Sequence, residues 1–181
     1  MNTQQTIDEI WALFRETDRK FQETDRKFQD TDQKIKEITT NIGRLGNKLG
    51  DFVEEMVRPA AVRLFRERGI DVHEVHRNVE ARRGEEGIEI DLLVVNDTDV
   101  VAIECKSTLS LDDVNDHLVS LAKLKKLLPA YAAKRVMGAV AAMAIRDNVA
   151  SYAYRQGLFV IAQTGDHLII RNDAKFTPQI W

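Results

Sequence analysis

Three charged side chains stand where strand-forming sequence should be apolar: Asp91, Glu104 and Lys106, within GIEIDLLVVNDTDVVAIECK at residues 87–106. Residues 88–95 and 100–103 are rich in Ile, Leu and Val, and Asn96-Asp97-Thr98-Asp99 between them is made of turn residues. That pattern predicts an antiparallel hairpin. If Val95 pairs with Val100, paired positions sum to 195, so Asp91 lies opposite Glu104 and Glu89 opposite Lys106. Side chains alternate across a strand, which puts all four on one face. Directly opposed residues have Cβ atoms about 4.5–5.5 Å apart. Two carboxylates at that separation repel and lose hydration, and a divalent cation is the simplest compensation. A salt-bridge network on a solvated sheet face is the plainer use of the same residues.

The elements around this hairpin must hold it in a sheet. Residues 51–68 read as a helix with Phe52, Met56, Ala60 and Leu64 at helical spacing, Pro59 inside it and Gly69 as its stop. Glu54 and Glu55 follow Val53, so at least one of them lies near the buried face. Residues 70–83 read as a strand, and Arg82-Arg83-Gly84-Glu85-Glu86-Gly87 as a charged loop before the hairpin. Ser110 with Asp113 resembles a capping box opening a helix to about residue 128, where Pro129 stops it. A strand over 136–145, a helix over 147–156 and a last hairpin around Gly165-Asp166 complete a mixed α/β sheet flanked by helices.

Residues 1–50 form a separate segment. FRETDRK, FQETDRK and FQDTDQK follow one another at 14, 21 and 28, a period of seven. Position a is Ile7, Phe14, Phe21, Phe28, Ile35, Ile42 and Leu49, and position d is Ile10, Thr17, Thr24, Thr31, Ile38 and Leu45. A sustained heptad predicts a left-handed coiled coil, hence a homo-oligomer. In a parallel assembly Lys20 and Lys27 at g face Asp25 and Asp32 at e of the partner. Glu16–Lys20 and Glu23–Lys27 add i,i+4 support within one helix. Gly43, Gly46 and Gly50, each costing about 1 kcal/mol of helix stability relative to Ala, place the boundary to a second domain at 51–181.

Composition narrows the classes. The 181 residues carry 30% charged side chains and a formal net charge of −3, so no global basic field marks a nucleic-acid binder. A local set of cations is available in Arg77, Arg82, Arg83, Lys123, Lys125, Lys126, Lys134 and Arg135. The single cysteine, Cys105, excludes an intramolecular disulfide framework and reads as a core residue. His73, His76 and His117 have no metal-type spacing on a common face, and His117, one turn into the helix after Lys106 and within reach of a phosphate, reads as a surface residue. Apolar runs fall short of a membrane span, and the polar start has no signal-peptide pattern, so the expectation is a cytoplasmic protein without a membrane partner.

Asp91, twelve residues, then Glu104-Cys105-Lys106, on adjacent strands and followed by a helix, resembles the PD-(D/E)XK nuclease superfamily. The order helix, three strands, helix, strand also resembles its restriction-endonuclease-like core, and the resemblance covers residues 51 to about 171. Asp18–Lys20, Asp25–Lys27 and Asp32–Lys34 repeat the three-letter motif, but residues two apart on a helix do not share a face. Ile90 precedes Asp91 where the motif has Pro. The resemblance implies Mg²⁺, with Mn²⁺ as a substitute, held by Asp91, Glu104 and the Cys105 backbone carbonyl. It further implies Glu55 as the first-helix glutamate completing the shell, Lys106 as the group on the attacking water, and nucleic acid, DNA ahead of RNA, as substrate. Two other functions fit the fold: a non-catalytic nucleic-acid-binding module, and a structural coiled-coil oligomer.

Overall fold

The structure, a computed structural model, describes residues 3–181, so the first two residues of the expected 1–50 segment lie outside the described residues. Helix α1 (Thr3–Arg66) passes through Gly43, Gly46, Gly50 and Pro59 without a break. This corrects the expectation of a second helix starting at Asp51. None of the three glycines takes a positive φ. Their cost is offset further along by Val53, Val57, Ala61, Leu64 and Phe65, all buried, each large apolar side chain contributing about 1.5–3 kcal/mol. The helix stops at Gly69, φ 77°, where Gly69 N–H bonds the Arg66 carbonyl and Ile70 N–H the Phe65 carbonyl. That is a Schellman closure, and Ile70 and Phe65 share one core.

By its contacts the chain divides into two compact units, one ending at Leu45 and the other Gly46–Trp181. In the first unit the a-position residues Phe14, Phe21 and Phe28 are 64%, 70% and 65% exposed, so the heptad seam is bare in a single chain. Thr24 and Thr31, at d, turn their hydroxyls onto the Lys20 and Lys27 carbonyls at 2.7 Å. Lys20 pairs with Glu16 at 2.8 Å as expected, while Glu23 pairs with Arg19 rather than Lys27.

The second unit is built on one six-stranded sheet in chain order: β1 (Glu74–Arg83), β2 (Glu86–Val95), β3 (Asp99–Leu109), β4 (Arg135–Ile145), β5 (Phe159–Thr164) and β6 (His167–Ile170). Pairs β1–β2, β2–β3 and β5–β6 are antiparallel, and β3–β4 and β4–β5 are parallel. Each parallel step needs a crossover, supplied by α2 (Leu111–Leu127) and α3 (Asp147–Arg155). The Ser110–Asp113 capping box opens α2 with both reciprocal bonds in place. Strand β1 begins at Glu74 rather than at residue 70, because Ile70 and Val72 are drawn into the core under α1 by the helix stop.

Two apolar layers enclose the sheet. On one face α1 residues Val53, Val57, Ala61 and Phe65 pack on Leu92, Val101, Ile103, Ala139 and Ile161. On the other, Val114, Leu121 and Leu124 of α2 and Val149 of α3 pack on Ile90, Val95, Val100, Val136 and Val140. The observed architecture is therefore a mixed sheet between helical layers. No helix among the described residues is long and apolar enough to cross a membrane.

Candidate active site at the parting of two strands

The hairpin has the register of the sequence argument, from Val95 opposite Val100 to Leu92 opposite Ile103. There its ladder ends. Below that point β2 continues on β1, with Ile90 opposite Val79, while β3 continues on β4, with Glu104 opposite Val140 and Lys106 opposite Ala142. The expected cross-strand pairs Asp91–Glu104 and Glu89–Lys106 are therefore not ladder pairs; the strands have parted. The Asp91 side chain replaces the lost backbone acceptor, and Cys105 N–H donates to its Oδ2 at 2.6 Å.

A local distortion accompanies the parting. Ile90 belongs to the core under α2, yet Leu92, two residues on, belongs to the core under α1. Alternation is reversed across Asp91. The β1–β2 ladder skips the Asn78 position facing it, and Asn78 takes φ 47°, a left-handed conformation unusual outside glycine. Such distortions re-aim a side chain next to functional sites. Here the re-aimed residue is Asp91.

Charge is concentrated in the gap. Lys106 Nζ lies 2.6 Å from Glu104 Oε1. Burial, with the Asp91 charge second, pushes the Glu104 carboxyl up to about 7 in spite of that lysine. The Asp91 carboxyl is also raised by burial, against the pull of the Cys105 N–H and of Lys106. For Lys106 burial acts to lower the value, but the bond to Glu104 and the Glu104 and Asp91 charges outweigh it, so the ammonium is favoured. Cys105 points into the core under α1, and burial pushes its thiol far up, as suits an inert side chain.

Helix α1 sends Glu54, not Glu55, to this place. Glu55 is half exposed and bonded to Arg77 at 2.6 Å and Arg58 at 3.0 Å. Glu54 is 7% exposed, and its Oε2 has no hydrogen-bond partner. The Arg77 guanidinium stands 3.6 Å from it, too far for a hydrogen bond. Burial first, then the Asp91 charge, raises the Glu54 carboxyl. Glu54, Asp91 and Lys106 line one cavity of about 500 Å³ with Gly46, Gly50 and Ser107. Of the two adjacent glutamates, Glu54 shares a cavity with Asp91 and Lys106, and Glu55, the residue expected there, does not line it.

His117, read from sequence as a surface residue, is buried. Its Nε2 is 3.2 Å from the Ala102 carbonyl, and its Nδ1, without a hydrogen-bond partner, is 3.8 Å from Glu104 Oε2. Burial lowers the imidazole to about 4, so the ring is neutral, with Nε2–H donating to Ala102. The signal for this contact was its place one turn into the helix that follows Lys106.

The donor chemistry fits a hard cation. The Asp91 charge acts on both Glu104 and Glu54, but Glu104 lines a separate cavity with His117 while Asp91 and Glu54 share another; the oxygen donors of all three suit Mg²⁺ and Mn²⁺. A finished cage is not preformed: among the described residues no three His, Cys, Asp or Glu side chains are already set for a metal. One Asp91 oxygen is held by Cys105 N–H and one Glu104 oxygen by Lys106. Of the cations available for phosphate contact, Arg77, Lys126 and Arg135 are spent on Glu54 and Glu55, Glu86 and Asp99. Lys134 donates to the Asn96 carbonyl.

No protein-family model matches the chain, and no curated protein matches it. A solved structure described as "Crystal Structure of Protein of Unknown Function AF1548" is similar at 18% identity with a TM-score of 0.41, covering 56% of this chain. The match spans 54% of that protein's length, and a likeness of this degree decides neither fold family nor function.

Proposed function

We propose that the chain hydrolyses phosphodiester bonds of nucleic acid with Mg²⁺ or Mn²⁺, DNA being the first substrate to test. One observation carries this reading. Two half-buried carboxylates, Asp91 and Glu104, both with raised proton affinity, share the parting of β2 and β3 with the lysine ammonium of Lys106. Placing like charges together away from water is costly unless something compensates them, and with Arg77 beside Glu54 the single Lys106 is left to balance both Asp91 and Glu104. Asp91 and Glu104 would hold the cation, with Glu54 closing the shell. A bound divalent ion supplies Lewis acidity, making water a better nucleophile and offsetting charge on the phosphate. Lys106 donates a hydrogen bond to the attacking water or to a non-bridging phosphate oxygen. The water oxygen would bond to phosphorus as the ester P–O bond breaks, the attacking water giving up a proton to solvent and the leaving oxygen taking one from it.

Cleavage of plasmid and oligonucleotide DNA with Mg²⁺ or Mn²⁺ tests this. Asp91→Ala and Lys106→Ala should each lower the rate by at least about a hundredfold. Activity that survives both substitutions refutes the site. Salt-sensitive DNA binding with no cleavage would favour a binding module on the same fold.

We also propose that the chain self-associates through its heptad seam. The bare Phe14, Phe21 and Phe28 stripe supports this, as an apolar stripe of that length is rarely left in water. A dimer would bring two cleaving units to one duplex.

A further inference from the structure

We infer that Gly46 and Gly50 determine which phosphodiesters reach the site, by leaving the α1 wall of its cavity without side chains; the inference rests on the nuclease reading above. Both glycines lie inside a helix, where glycine is the poorest residue short of proline. Nothing in their own structure requires them. Neither takes a positive φ, and a Cβ built on either meets no atom within 4 Å. Nor does the heptad seam, since Gly46 falls at e and Gly50 at b while Ile42, Leu45 and Leu49 hold a and d. What they preserve is open volume.

That volume faces the chemistry. Gly46, Gly50 and Glu54 are four residues apart on one face of α1, and the two glycines line the same cavity as Asp91 and Lys106. Glu54, 7% exposed, lines it as well, and its Oε2 has no hydrogen bond, with the Arg77 guanidinium 3.6 Å away. A cavity lined by Asp51, Glu54, Glu89 and Asp91 with one lysine takes a cation and, through it, a phosphate. A wall without side chains adds nothing for a small phosphate ester, which the cavity of about 500 Å³ already admits. It matters for a continuous sugar–phosphate strand, which must pass across the helix on both sides of the bond being cut. The structure thus assigns Gly46 and Gly50 to the selection of polynucleotide over small ester.

The test uses the full chain with Gly46→Leu and Gly50→Leu, leucine being a strong helix former that fills the wall. Polynucleotide cleavage should fall at least about tenfold, with the loss mainly in KM. Mn²⁺ binding by calorimetry and hydrolysis of bis(p-nitrophenyl) phosphate should stay within about twofold of wild type. Gly46→Ala and Gly50→Ala should cleave polynucleotide as wild type does and melt at higher temperature. Leucine variants that cut polynucleotide like wild type would overturn the inference alone. So would leucine variants that lose Mn²⁺ binding and small-ester hydrolysis together with cleavage, which would make the effect structural. A wild type that cleaves neither substrate overturns the nuclease reading, and this inference with it.

Discussion

Replacing Glu104 with Gln should stabilise the metal-free protein at neutral to alkaline pH while abolishing the proposed cleavage. The sign comes from burial, which with the Asp91 charge lifts this carboxyl from the ordinary 4.5 to about 7. Below pH 4.5 the folded and unfolded chains both carry the proton, and the group's contribution to stability is fully present. Between 4.5 and 7 the unfolded chain ionises while the folded one keeps its proton, so stability falls as pH rises, and above about 7 the loss is complete. A gap of about 2.5 pH units at about 1.4 kcal/mol each amounts to about 3 kcal/mol. The side chain is 16% exposed, so solvent screens little of it. Glutamine mimics the protonated acid at every pH and escapes this loss. Urea unfolding of both proteins in chelator at about pH 5, 6, 7 and 8 reads the difference directly. The variant should gain on wild type by about 3 kcal/mol across that range, or about 6–12 °C in Tm. Saturating Mg²⁺ should narrow the gap, because it stabilises the ionised site of the wild type and not the variant. A constant difference from pH 5 to 8 would refute the reasoning. Glu104 would then not be a largely desolvated carboxyl beside Asp91, and no cation would be needed between them.

Three further outcomes are expected. Glu54→Gln should lower cleavage at least about tenfold while Glu55→Gln leaves it near wild type, measured on the same DNA substrate; the reverse order would put the helix glutamate back at 55. Gly138→Ala should cost about 1–3 kcal/mol in urea unfolding, because its Cβ would collide with Leu121 and Leu158 at the contact of α2 with β4. Phe21→Asp, which puts a charge in the middle of the bare seam, should lower the sedimentation-derived mass of the full chain to that of one copy. A wild type already sedimenting at that mass would remove the oligomer.

The hairpin was legible because its information is local. Turn residues at 96–99 set the register from Val95–Val100 to Leu92–Ile103 without knowledge of anything distant. What local rules miss is where a ladder ends. The parting of β2 and β3 below Leu92–Ile103 depends on each strand finding another partner, β1 for one and β4 for the other. The reversal at Asp91 also depends on Asn78, whose left-handed backbone no pattern in residues 70–83 demands. His117 was missed for a related reason. A polar residue on an apolar helix reads as surface until the Ala102 carbonyl that satisfies it is known.

The burial of Glu54 had its signal in the sequence. Two adjacent rows on α1 are equally spaced, 52/56/60/64 and 53/57/61/65, and the larger Phe52 favours the first. The structure buries the second and leaves Phe52 52% exposed. The helix stop decides between them. Gly69 followed by Ile70 announces a Schellman closure, in which the residue after the glycine packs on the side chain five positions before it. That side chain is Phe65, so the row through 65 must face the core, and it leads back one turn at a time to Val53. A buried Val53 carries its neighbour Glu54 into the edge of the core and swings Glu55, another 100° round, out towards Arg58. The phase of a helix that ends in such a closure is better read from its last turn than from its largest apolar residue, and here that phase decides which of the two glutamates lines the cavity with Asp91.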